Sequence, residues 1–260
     1  MSALTVIQQR DAIHLISDAA SYDLSGIVQG IGSKIVDLPN SGCAFVTRGS
    51  VVSAIPLKGL LHPFTSFDEI VDVLPGFISA IRTTLNILTN GEVSPSLHFE
   101  VTIAGWSDRM QRFVAGIAST FEVCDPNDPQ GVSYLPGYQP AVPFFAAPAV
   151  ASPTVDFSSV VGRQIESEED VEGLDPGTDG LAILEAQRLT PSVYKSSIQY
   201  VVGGFAELVT VSRDGISRRI LKEWPEDEVG RPISPRDAMP IEEVRRLFDQ
   251  AGPQQTPLAA

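Results

Sequence analysis

Three polar side chains, Ser2, Asp18 and Lys34, stand at sixteen-residue steps near the start of the chain. A serine attacks a carbonyl only when a base takes its proton, and an N-terminal serine brings its own base, an α-amine with a pKa near 8. Removal of Met1 ahead of the small Ser2 would free that amine for cleavage of a peptide or amide bond. The competing reading is plain: Ser2 is an ordinary residue beside the initiator, and Asp18 and Lys34 form an ion pair kept for the fold.

Other reactive side chains offer less. His14 alternates with Ile13 and Leu15, so on a strand it points away from both, as a surface or interlayer histidine rather than a base. His62 and His98 lie in unrelated contexts, and no His, Asp or Glu cluster has metal-ligand spacing, so no metal is expected. Gly30-Ile31-Gly32 lacks the third glycine and the strand-to-helix setting of a nucleotide loop, and no cofactor is indicated. Cys43 and Cys124 are too few for a disulfide framework; they read as two buried or half-buried thiols, or as one disulfide.

The elements that must position these residues follow from periodicity. Residues 4–8 and 12–16, separated by Gln9-Arg10-Asp11, read as an opening hairpin, and residues 34–38 and 44–47 repeat the pattern around Pro39-Asn40-Ser41-Gly42. From Phe67 to Leu88 the apolar residues fall at helical spacing behind a capping box of Ser66 and Glu69, with Pro75 expected to kink or split the helix and Asn90-Gly91 to stop it. A second hairpin is expected from 97–104 and 112–118, turning at Gly105-Trp106-Ser107-Asp108. Residues 124–179 are rich in Pro, Gly, Ser and acidic residues, an irregular excursion in which the acidic run 166–172 reads as solvated surface. A helix over 180–188, a last strand pair over 200–211 and 217–221 around Arg213-Asp214-Gly215, and a short tail helix behind Pro240 complete the order. That tail helix has no obvious place in the core and reads as an arm for packing on a neighbour.

Composition narrows the function class. With 43% apolar residues the chain can bury a sizeable core. Eighteen basic against 32 acidic residues give a net charge of -14, which repels phosphate backbones and anionic lipid, so neither nucleic acid nor membrane is expected as partner. The start of the chain lacks the basic-then-apolar pattern of a signal peptide, and residues 141–151 are too short and too broken by Pro143 and Pro148 to span a bilayer. A cytoplasmic or virion-associated protein, not secreted by a signal peptide, is the expectation.

The opening residues resemble a proteasome β-subunit, or a bacterial proteasome-like protease, of the N-terminal-nucleophile (Ntn) hydrolase family. Leu4-Thr5-Val6-Ile7, Ile16-Ser17-Asp18-Ala19 and Lys34-Ile35-Val36 fit that family's register without a gap, and Ile103-Ala104-Gly105-Trp106 and Gly203-Gly204 continue the likeness outside 124–179 and the tail. The resemblance implies an α+β, four-layer αββα sandwich over residues 1–222, with 124–179 as an insertion and 223–260 as a C-terminal extension. It implies Ser2 as nucleophile and base, Lys34 as the charge that keeps the amine neutral, Asp18 as its orienter, and the backbone of Gly49 (or of Arg48) as oxyanion donor. The departures are Gln199 and Val202, where the family carries an Asp and a Ser, and Ala3, where many members carry a hydroxyl. The expected function is therefore a non-catalytic or vestigial subunit of a homo-oligomer or other assembly, with a bacteriophage virion or tail component as the specific case that the resemblance suggests. An active peptidase or amidase using Ser2 is the alternative.

Overall fold

The computed structural model describes residues 3–49, 53–88, 99–120, 149–152, 155–194 and 197–251. The chain opens with β1 (Leu4–Gln8), β2 (Ala12–Asp18), β3 (Ala20–Tyr22), β4 (Val28–Ile31) and β5 (Ile35–Leu38). A 3-10 turn (Pro39–Ser41) leads into β6 (Cys43–Gly49), then α1 (Ala54–Leu61), α2 (Phe67–Leu88), β7 (Phe99–Ser107), β8 (Arg112–Ser119) and β9 (Ala149–Ser152). Next come α3 (Phe157–Val161), α4 (Glu168–Glu172), α5 (Thr178–Arg188), β10 (Ser192–Tyr194), β11 (Ser197–Gln199), β12 (Phe205–Ser212), β13 (Gly215–Glu223) and α6 (Ile241–Ala251).

Two antiparallel sheets carry the core, in orders β13-β12-β2-β1-β9 and β5-β6-β7-β8; β3-β4 and β10-β11 are separate two-stranded ribbons. The two-residue period of the first hairpin decides what each sheet covers. Leu4, Val6, Ile13 and Leu15 face Val46, Ala104 and Phe113 of the other sheet, while Ile7 and Ile16 turn outward to Val171, Leu174 and Leu184 around α4 and α5. On the far side, Phe45, Val101 and Ile103 meet Phe67, Ile70, Leu74 and Ile78 of α2.

The expected four-layer αββα sandwich of Ntn hydrolases does not fit this chain. Among the described residues antiparallel sheet predominates, at 37% strand against 32% helix, with six helices. The helical cover is also unequal. One face has the 22-residue α2, whereas the other has the eleven-residue α5 and two helices of five residues each. Short helices of one to three turns cannot supply the long continuous apolar stripe that a full helical layer requires.

Local chemistry accounts for the boundaries. The α2 N-terminus is capped as expected: Glu69 N–H donates to Ser66 Oγ at 3.2 Å, and Thr65 N–H donates to Glu69 Oε2 at 3.1 Å. The helix nevertheless runs unbroken through Pro75, held by its buried face although one backbone donor is missing. Asn90-Gly91 lie outside the described residues. Helix α1, absent from the sequence reading, is short and has Pro56 near its start.

The second hairpin turns later than its sequence suggests. β7 continues through Gly105 and Trp106, which pair with Val114 and Phe113, and the turn falls at 108–111 with Gln111 at φ 52°. Trp106 packs edge-to-face on Phe113 at 5.2 Å, which rewards the longer ladder. Gly105 is required where it stands: a Cβ would lie 2.7 Å from both Cys43 Sγ and Phe67 Cδ2, blocking the seat of α2 on its sheet. Within the expected irregular excursion, β9 extends the five-stranded sheet by pairing with β1, and α4 is closed by a capping box of Ser167 and Asp170. Nor does the tail helix stand off as an arm. Val244 is buried, Ile241 packs with Tyr200 and Ile233, and the Tyr200 hydroxyl donates to Met239 O at 2.7 Å.

His14 is buried rather than at the surface. The Gln9 side-chain amide donates to the carbonyls of Val171, Glu172 and Leu174, which fixes its oxygen toward the ring. His14 Nε2–H therefore donates to Gln9 Oε1 at 3.0 Å, and Nδ1 accepts from Thr210 Oγ1 at 2.9 Å. Burial, then the charge of Arg219, lowers its pKa from 6.5 to about 4, against an opposing pull from Asp175. Between those values the unfolded chain binds a proton that the folded chain refuses. Unfolding free energy should consequently fall by about 3 kcal/mol as pH drops from 6.5 to about 4. Urea titrations across that range should show the slope in the native chain and its loss in His14→Gln; equal slopes would contradict the assignment.

Candidate functional site

Asp18 ends β2, and Lys34 immediately precedes β5. The fold brings them together: Lys34 Nζ lies 2.7 Å from Asp18 Oδ1, with side chains 9% and 0% exposed. The same oxygen accepts the Ala3 N–H at 3.1 Å. Oδ2 accepts the N–H groups of Gly203 at 3.1 Å and Ala20 at 3.3 Å. One buried carboxylate thus ties the start of β1, the start of β3, the Gly203 turn and a lysine.

Ser17 Oγ donates to Ala3 O at 3.0 Å, so both polar groups of the Ala3 backbone are held. Burial lowers the Lys34 pKa, while the charge and hydrogen bond of Asp18 oppose that shift. Ser2 lies outside the described residues, but its neighbour Ala3 is anchored on Asp18. Gly49 closes β6 with φ 95°, a left-handed value that favours glycine. Pairing of Ile35 with Val46, continued by one step, sets Lys34 beside Thr47, two residues short of Gly49. Arg48 Nε sits 3.2 Å from Glu100 Oε1, off the angle of a hydrogen bond but close enough for charge attraction.

Sequence reasoning missed half of the polar centre. Gly204, next to the Gly203 held by Asp18, donates its N–H to Asp227 Oδ2 at 2.7 Å. Asp227 takes a bidentate grip from Arg188 at 2.7 and 3.0 Å, and Arg188 also donates to Val202 O at 2.6 Å and lies 4.6 Å over the Trp224 ring. Both glycines are needed. A Cβ on Gly203 would lie 2.5 Å from Asp227 Oδ2, and Gly204 has φ 81° with Ile31 Cγ2 at 2.8 Å from its would-be Cβ. Arg188 falls at the end of the helix expected over 180–188 and Asp227 in the C-terminal extension, and their partners lie far away in sequence.

Tyr22 is a further unforeseen member. Burial, then the nearby Asp18 charge, raises its pKa well above the usual value, and its hydroxyl has no hydrogen-bond partner among the described residues. Gln199 Oε1 shares that condition, and Val202 is wholly buried. The large cavity among the described residues, about 810 Å³, lies elsewhere, at the turn end of the β1–β2 hairpin around Arg10, Trp106 and Arg213. Cys43 is a buried thiol, its pKa pushed up to about 12 by burial, and Cys124 lies outside the described residues.

Comparison with protein-family models and with curated proteins returns no match. Among the described residues, no helix is long and apolar enough to cross a membrane.

Burying an ion pair contributes little net stability, but removing one partner strands a charge and costs about 3–5 kcal/mol. Asp18→Asn and Lys34→Met should each destabilise by that order in urea unfolding. The double variant should fall at least ~2 kcal/mol short of their sum; simple additivity would show that the two groups do not depend on each other.

Proposed function

We propose that this chain is a non-catalytic subunit of a larger assembly, in which the Lys34–Asp18 centre locks the first strand into the sheet. The observation that carries this reading is the state of the Asp18 carboxylate: three backbone N–H groups and the lysine already occupy its two oxygens, in a centre almost sealed from solvent. A carboxylate so engaged organises backbone. The apolar Val202 and the neutral Gln199 leave neither a hydroxyl nor a charge to assist a nucleophile from that side. An assembly role is supported by large apolar side chains left in water on the two helices that follow β6, Ile55 at 81%, Ile87 at 69% and Leu88 at 73% exposure.

A second reading keeps Ser2 as the nucleophile of a peptidase or amidase. It is favoured by one observation: Ala3, the residue after Ser2, is anchored through its N–H on the Asp18 carboxylate that also holds a buried lysine, and perturbed ionisable groups concentrate at functional sites. Function resides in such a site rather than in a fold, so the fold correction leaves this reading standing.

Light scattering on the native chain, with intact-mass analysis after exposure to a β-lactone that acylates N-terminal hydroxyls, separates the two. The assembly reading predicts a particle of several chains and no added mass. A monomer at tens of micromolar would contradict it. An adduct on Ser2 that disappears in Ser2→Ala and Lys34→Met would establish the hydrolase instead.

A further inference from the structure

The 810 Å³ cavity is built from the turns of three hairpins, β1–β2, β7–β8 and β12–β13, closed on one side by α4. Hairpins of both sheets contribute to it. Its floor is aromatic: the Trp106 indole, supported edge-on by Phe113 and oriented by its Nε1–H donating to Asp108 Oδ1 at 2.8 Å. The Arg213 guanidinium already lies on that floor, 3.2 Å from the ring centroid. The platform therefore displays its own preference, a flat cation over an electron-rich indole face.

The walls carry five carboxylates, Asp11, Glu168, Glu169, Glu172 and Asp214, against the guanidinium groups of Arg10, Arg112 and Arg213. Arg112 is paired with Glu168 at 3.1 Å. Asp11, Glu169 and Asp214 form no ion pair among the described residues, although all are exposed in or beside the opening. A polar-walled cavity of this volume on an acidic chain suits a cationic occupant.

We propose that this cavity binds an arginine-bearing peptide segment of a partner protein, whose guanidinium replaces Arg213 on Trp106 while neighbouring cations meet Asp11, Glu169 and Asp214. Arg213 is then an internal stand-in, an exposed side chain that yields the ring to the incoming guanidinium. The site shares no residue with the Lys34–Asp18 centre and does not depend on the assembly reading. The carboxylates that line the cavity discriminate against nucleotides and other anions by repulsion, which gives the pocket specificity as well as attraction.

Calorimetric titration of the full chain with capped tetra-arginine tests the idea at physiological salt. Arg213→Ala should bind about fivefold more tightly, because the competitor is gone, and Trp106→Leu should lose binding. Neutralising Asp11, Glu169 and Asp214 together, by Asn or Gln, should weaken it about tenfold. The same loss of charge at Glu228, Asp237 and Glu242, on the C-terminal segment, should change it less than twofold. Unchanged or weaker binding in Arg213→Ala, or equal effects of the two triple variants, would overturn the proposal. Arg213 and the six carboxylates are surface positions, so these comparisons do not rely on Trp106→Leu remaining folded.

Discussion

Two carboxylates hold two consecutive amides: Asp18 takes the N–H of Gly203 and Asp227 that of Gly204. Each carboxylate is itself paired with a buried cation, Lys34 on one side and Arg188 on the other. The result is a continuous polar chain through the double glycine, linking the first strand, the entry to β5, the end of α5 and the segment after β13. Paired charges in a dry interior add little net stability over apolar packing, yet each leaves a large penalty if its partner moves. Such a chain therefore fixes where backbones go more than it strengthens the whole. Glycine at both positions follows directly, since any side chain would occupy the space of Asp227 or Ile31.

That constraint fixes the segment that enters β1. Ala3 immediately precedes β1, and its N–H is bonded to Asp18 and its carbonyl to Ser17. The same grip can be read in two ways, as the clamp of a structural subunit or as the cradle of a nucleophile one residue earlier. Saturation of Asp18 by backbone donors, together with the apolar, buried Val202, weighs toward the clamp. The spacious concavity of the described chain meanwhile lies at the opposite end of the first hairpin, where chemistry is carried by an indole and carboxylates rather than by a hydroxyl and a lysine.

Elements governed by strong periodicity were legible in the sequence. The β1–β2 hairpin, the β5–β6 pair, α2 with its Ser66 cap and α5 all follow from apolar spacing and local capping. The overall architecture was not. Its helical cover is uneven because only α2 has a long amphipathic stripe, and β9 joins its sheet through backbone pairing that four residues of sequence do not advertise. The β7–β8 turn was displaced because Gly105 looks like a turn glycine, whereas it is kept free of a side chain by the approach of Phe67. In the site, Asp18 and Lys34 were found because the opening residues resemble the register of a proteasome β-subunit. Arg188 and Asp227 were missed because their partners are 39 and 23 residues away, and Tyr22 because its perturbation comes first from burial, which has no local pattern.

Native-state hydrogen exchange at Ala3, Gly203 and Gly204 tests the central claim most directly. If the polar chain through the double glycine governs the fold, these three amides exchange only by global unfolding, as slowly as the central amides of β2. Exchange of Ala3 or the glycines on the timescale of a fraying terminus, with β2 still protected, would contradict the account.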